Sequence, residues 1–300
     1  MSNNADETVG SVLVGVEQGD DQHTVVRYAA RHASLHGGRL HLLHVVEGTP
    51  PAGSAAPAGS AAERERQTLV TQAVARVVQP MVELVETEFP KVAVTAEAVT
   101  GQPAGVLVER SAEAAWLVVG HRGSGGFPRL PLGSVSWQVA THASCPVVVI
   151  RPGASAAREN RIVVGVDVRD IPHEALDLAY AEAQVRGAAL QMVHGAFHLG
   201  EMPTGPGMAA PDFAALDEKA RQVLKAEAAK RLARYPDVQV DAYVERVRPA
   251  TVLVEASRRA GLLVVGSHGR TGLRRLMLGS VSGEALHSAE CPVAVVPHAH

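Results

Sequence analysis

The 300-residue chain is poor in cysteine, in net charge and in long apolar runs, and each shortage removes a class of function. Only Cys145 and Cys291 are present, each just before a Pro-Val pair, and no Cys-x-x-Cys occurs. Two thiols in such matched settings read as small buried apolar side chains in a reducing compartment, not as a redox or metal pair. A formal net charge of -3 offers no attraction for nucleic acid or an anionic membrane surface. No apolar run approaches the roughly 20 residues that span a bilayer. The first residues, Met1 to Thr8, carry neither a basic segment nor an apolar core, so no secretory signal is expected and the chain is read as cytoplasmic. Also missing are a Gly-x4-Gly-Lys-Ser/Thr loop, a serine- and glycine-rich loop after the first strand, and a His-x-Gly-His signature in a nucleotide-binding setting.

What is present is one glycine pattern written twice. Gly120, Gly123, Gly133 and Ser134 form Gly-x2-Gly-x9-Gly-Ser, and Gly266, Gly269, Gly279 and Ser280 form it again. Each copy follows an apolar run, Leu117-Val118-Val119 or Leu263-Val264-Val265. A strand that ends in a glycine loop and then opens a helix presents backbone amides to phosphate. The duplication extends further: Val12 to Val16 returns as Ile162 to Val166, Pro103 to Glu109 as Pro249 to Glu255, and Cys145-Pro146-Val147 as Cys291-Pro292-Val293. Gly15 and Gly165 stand 150 residues apart but Gly120 and Gly266 only 146, so a length change falls between His44 and Pro103. That interval holds the Pro/Gly/Ala/Ser stretch 48–62, where a loop insertion is tolerated. Tandem domains at 9–152 and 160–297 are expected, with the seam in the small, breaker-rich residues 152–157.

Within each half, strands and helices alternate. Val12 to Val16 is a continuous β-branched run, as befits a strand covered on both faces. Val26, Ala29, Ala30 and Ala33 recur at helical spacing, as do Leu176, Ala179, Tyr180 and Ala183. There follow a strand at Leu40 to Val46, a long helix from about Ala62 to Glu88, a strand at Val92 to Ala98, a helix opened by Pro103, and a strand at Trp116 to Val119. Ser134 is placed to cap the last helix before a final strand at Val147 to Ile150. The order predicts an α/β protein of two Rossmann-like domains, each a five-stranded parallel sheet of order 3-2-1-4-5. Strands one and four are then neighbours where the winding reverses, so the turn after Gly15 and the glycine loop face one crevice.

On these residues the chain resembles the universal stress protein family, in the ATP-binding, tandem-domain form common in actinobacteria, whose fold is that of the adenine nucleotide alpha hydrolases. The resemblance covers nearly all of the sequence. It implies that the loop backbone and its serine hold triphosphate and ribose: Gly120, His121, Arg122, Gly123, Ser124, Gly125, Gly126, Gly133, Ser134 and Val135 in the first half, Gly266, Ser267, His268, Gly269, Arg270, Thr271, Gly272, Gly279, Ser280 and Val281 in the second. It places Val45 and Gly195 against adenine, and Gly15 with Glu17, or Gly165 with Asp167, beside the adenosine. The sequence departs from the family at Glu17, which is one methylene longer than the usual aspartate, and at Gly195, which removes the apolar wall that Val45 offers. It also lacks the Gly-Ser that usually follows the acidic residue. The second half is therefore expected to be the better site.

Plainer explanations stand beside these. The glycines could be turns of positive φ, and Arg129 and Arg275 could reach phosphate or lie in solvent. His44 and His194 read as hydrogen-bonded core histidines, and Ser111 and Ser257 as helix-surface residues. No metal-ligating spacing is found. The leading function is an ATP-binding stress or growth-regulating protein with up to two sites, Mg2+ entering only through the phosphates, and no catalysis beyond slow hydrolysis. The alternatives are an ATPase or adenylating enzyme of related architecture, and an interaction protein whose glycine loops are structural. The resemblance further implies pairing of the two halves through their last strands; a homodimer of the tandem chain and an unidentified regulatory partner complete the expectation.

Overall fold

Short β-branched runs, buried on both faces, frame each half of the molecule. The structure, a computed structural model, describes residues 10–19, 21–47, 59–123, 132–151, 160–196, 212–267 and 277–298. The chain divides into two compact units, 1–152 and 153–300.

In the first unit the order is β1 (Ser11–Gly15), α1 (Gln22–Leu35), β2 (Arg39–Val46), α2 (Ala61–Ala73), α3 (Gln79–Glu88), β3 (Val94–Thr100), α4 (Pro103–Arg110), β4 (Trp116–Gly120), α5 (Ser134–His142) and β5 (Val147–Ile150). All pairings are parallel, in the order β3-β2-β1-β4-β5. The second unit repeats this with β6 (Arg161–Gly165), α6 (His173–Arg186), β7 (Ala189–Gly195), α7 (Phe213–Leu232), β8 (Val240–Glu245), α8 (Pro249–Ser257), β9 (Leu262–Gly266), α9 (Ser280–Ser288) and β10 (Val293–Val296), ordered β8-β7-β6-β9-β10. The expected α/β class and 3-2-1-4-5 order are what both sheets show. Strands β5 and β10 are buried at every position, because parallel strands under helices meet no solvent on either face.

Several local expectations change. The third strand begins at Val94, not Val92, because the Val92 amide is spent closing a turn onto the Phe89 carbonyl. The long helix is not continuous: a π-helical turn, Val74–Val78, separates α2 from α3 and delivers Val77 and Val78 to the core. Ser60 caps α2 by accepting from the Glu63 amide. Ser111 and Ser257 are not surface residues. Each is buried, donates to a carbonyl one turn back (Val108 or Val254), and accepts a 2.9 Å bond from the amide of Ser144 or Glu290. This matched pin ties the end of α4 or α8 to the turn leading into the last strand. Cys145 and Cys291 are buried free thiols, as expected, and burial pushes Cys145 up to about 12.

The second unit adds a device of its own. Arg231, buried on α7, donates from Nε to Asp177 at 2.7 Å and from Nη1 to Glu227 at 3.0 Å, and its guanidinium lies 5.8 Å from the Tyr180 ring centroid. The group clamps α7 onto α6.

Candidate functional site

The reversal of winding opens the sheet between β1 and β4, and between β6 and β9, at the carboxyl ends of the strands. A cavity lies there in each half, of about 540 Å³ in the first and about 150 Å³ in the second.

Glycine at the strand ends makes room for the walls. A methyl group on Gly15 would come within 3.1 Å of the Leu107 side chain, and one on Gly165 within 2.9 Å of Leu253. The floor of each cavity is thus a leucine of α4 or α8 packed onto bare backbone. Gly120, Gly123, Gly133, Gly15, Gly165 and Gly195 do not adopt positive φ. Their absent side chains matter for space, which argues against reading them as turn residues.

The neck of the glycine loop is closed in the same way twice. The Gly133 amide donates to the His121 carbonyl at 2.7 Å, and the Gly279 amide to the Ser267 carbonyl at 2.9 Å. Beyond the neck α5 and α9 begin, with Gly133 and Gly279 as the capping residues. Ser134 and Ser280 therefore do not cap: they are the first helical residues and make no side-chain cap bond. Both serines line the cavities, next to helix-end amides that have no intrahelical acceptor. Strand end and helix start are joined by a serine that sequence reasoning missed. Ser136 Oγ donates to the Gly120 carbonyl at 2.6 Å and Ser282 Oγ to the Gly266 carbonyl at 2.5 Å. The repeated Gly-Ser-Val-Ser at 133–136 and 279–282 was the available signal.

Ser124, Gly125, Gly126 and Arg129, and His268, Gly269, Arg270, Thr271, Gly272 and Arg275, lie outside the described residues. Of the other expected residues, Gly15, Glu17, Val45, Gly120, Arg122, Gly123, Gly133, Ser134 and Val135 line the first cavity, and Gly165, Asp167, Gly195, Gly266, Gly279, Ser280 and Val281 the second. His121 and Ser267 form the necks without lining either cavity. Burial first, and then the cations Arg151 and Arg122, lower the His121 pKa. Arg122 is the cation among the described residues that line the first cavity.

The two acidic residues behave differently. Glu17 uses its extra methylene to reach the glycine loop, where Oε2 stands 2.5 Å from the place a Gly123 methyl would occupy. Asp167 turns back into its own loop, accepting from the Arg169 amide at 3.0 Å. The base walls differ too. Val45 is buried beside Leu107 and Val77, the latter supplied by the π-helical turn. At Gly195 the missing side chain leaves no gap: a methyl there would lie 2.5 Å from Pro249 Cα and 2.7 Å from its nitrogen. The start of α8 itself is the wall, which corrects the expectation of a lost one. His44 and His194 each hold a ring through Nδ1 at 2.8 Å from the carbonyl of Val16 or Val166, as hydrogen-bonded histidines at the cavity edge.

Comparisons with known proteins bear on the family and the fold. The model of the universal stress protein family matches twice, over residues 8–151 and 159–297. A universal stress protein of Mycolicibacterium smegmatis is 35% identical over 298 residues, covering 95% of this chain and 96% of its own. One from Mycobacterium tuberculosis H37Rv is 36% identical over 291 residues, with coverage of 95% and 96%. Among solved structures, a universal stress protein from Archaeoglobus fulgidus superposes with a TM-score of 0.69 at 18% identity, over 97% of this chain and 99% of that one, a likeness of fold.

Proposed function

The chain belongs to the universal stress protein family, and we propose that within it the protein is a two-site receptor for adenine nucleotides, with ATP as the ligand of the first half. The observation that carries this reading is the matched pair of cavities. Each sits at the winding reversal, between a strand-end glycine and the amide-bearing start of a helix, with an apolar wall at the far side. Phosphate suits the helix start and the Arg122 side chain; a purine suits Val45, Leu107 and Val77. A cavity of about 540 Å³ falls within the range of small-molecule sites, whereas about 150 Å³ does not. Size therefore favours the first half, the reverse of the ranking based on the acidic residues.

Mg2+ would enter with the phosphates. The lining carboxylates are Glu17 and Glu47 in the first cavity and Asp167 and Asp170 in the second, too few for an octahedral cage made of protein alone. The protein acts by binding, in the cytoplasm, and signals occupancy through a regulatory partner or a homodimer of the tandem chain.

Isothermal titration with ATP and Mg2+ tests the reading. Gly123→Val should remove binding from the first half, because the new side chain displaces Glu17 and fills the approach to the loop; adding Gly269→Val should abolish the remainder. Unchanged affinity in the double variant would make the loops structural turns. Turnover well above about one per minute would make the protein an enzyme instead.

A further inference from the structure

Among the described residues that line the first cavity, one buried acceptor atom has no hydrogen bond. Gln22 opens α1, is 3% exposed and lines the cavity beside Glu17 and Gly120. Its amide nitrogen leans on Glu17 Oε1 at 3.5 Å and stands 3.6 Å from where a Gly120 methyl would be. Its carbonyl oxygen is buried without a hydrogen bond. The amide gains nothing by turning over, since that would set oxygen against the Glu17 carboxylate. A buried acceptor of this kind is a standing cost that a ligand donor can relieve.

Resting on the reading of the first cavity as a nucleotide site, we propose that Gln22 Oε1 accepts a hydrogen bond from a ribose hydroxyl and makes the first half selective for ribonucleotides over deoxyribonucleotides. An adenine nucleotide has few donors to offer. Its ionised phosphates only accept. Its exocyclic amine travels with the base toward Val45 and Leu107, on the other side of Gly15 from the glycine loop. The sugar joins base to phosphate and so spans the interval between these ends, where Glu17, Gln22 and Gly120 meet. A site with a buried, unmet acceptor favours the ligand that brings the matching hydroxyl, because only that ligand relieves a cost which the deoxy analogue leaves in place.

At the matched position the second half carries no such device. The residue matched to Gln22 is Pro172, which lines the second cavity and offers neither an amide side chain nor a backbone N–H. The Gln22 contact is thus a property of the first half.

The test is competition calorimetry on the intact chain with ATP, 2′-deoxy-ATP and 3′-deoxy-ATP. The wild type should bind ATP at the first half at least about tenfold more tightly than one of the two deoxy analogues. Gln22→Leu should collapse that ratio toward one and should not lower the melting temperature, because it deletes the unmet acceptor; Gln22→Met gives the same readout if leucine packs badly. Equal affinity for all three nucleotides in the wild type overturns the selectivity while leaving the nucleotide site standing. A preference that survives both Gln22 variants overturns it as well. A protein that binds none of the three overturns the proposed function, and the selectivity with it.

Discussion

Gly195→Ala is the sharpest probe of how the second cavity is built. Position 195 ends β7 with a backbone open to any residue, so alanine there carries no conformational strain and should gain about 0.4–1 kcal/mol from a less flexible unfolded chain. Against this, the added carbon would sit 2.5 Å from Pro249 Cα, 2.7 Å from Pro249 N and 3.0 Å from the Val247 carbonyl oxygen. Ordinary carbon contacts lie near 3.5–4.0 Å, so the first turn of α8 must retreat by about 1 Å. That helix carries Leu253, the cavity floor, and Ser257, the pin to Glu290. Overpacking against backbone costs about 1–3 kcal/mol, and a net loss of about 1 kcal/mol is expected. Gly123→Ala is the control, because the obstacle is again 2.5 Å away but is the tip of the Glu17 side chain, which can swing aside. Its stability should change by less than about 0.5 kcal/mol. Urea unfolding followed by far-ultraviolet circular dichroism measures both, and the Gly195 variant should lose about 0.5 M in midpoint. Trp116 and Trp137 both belong to the first half, so their fluorescence reports that half separately. A Gly195→Ala protein as stable as the parent would show that α8 does not form the wall of this cavity.

Further expectations concern other contacts. Ser136→Ala should cost about 1 kcal/mol and weaken ATP binding at the first half, since it frees the Gly120 carbonyl from the helix that follows the loop; denaturation and titration on the same variant check both effects. Arg231→Ala should destabilise the second half by about 2 kcal/mol, seen as a lowered urea midpoint, because it breaks a buried ion pair and leaves Glu227 with Lys230 as its counter-charge. Burial raises the Glu227 carboxyl, but hydrogen bonds from Lys230 and Arg231 outweigh it, and the pKa in the folded protein falls below the ordinary 4.5. The contribution of Glu227 is then complete above that pH and lost as the pH falls through the lowered value, so the acid limb of a stability–pH curve should flatten in Glu227→Gln. Cys145, pushed up to about 12, should resist alkylation at pH 8 in the native protein and react fully in denaturant.

Much of this molecule is written in local repeats of its sequence. Strand and helix identity, the tandem halves, the sheet order and the place of the glycine loops could be read because each rests on a short pattern: an apolar run, a helical spacing, a proline at a helix start. Such patterns repeat because backbone hydrogen bonding and burial impose the same period on every copy. The Gly-Ser-Val-Ser bridge belongs with them, legible in principle from its repetition. Tertiary structure alone decided the rest. The burial of Ser111 and Ser257 depends on amides 33 residues away. Val77 reaches the cavity through a π-helical turn that leaves no mark in hydrophobic spacing. Gly195 proved to be filled by backbone from α8, and Glu17 and Asp167, alike in charge, took opposite directions. Gln22 is not repeated in the second half, and its unmet carbonyl exists only because α1, Glu17 and Gly120 close around it. Distances between segments remote in sequence determine such features, and no local period encodes them.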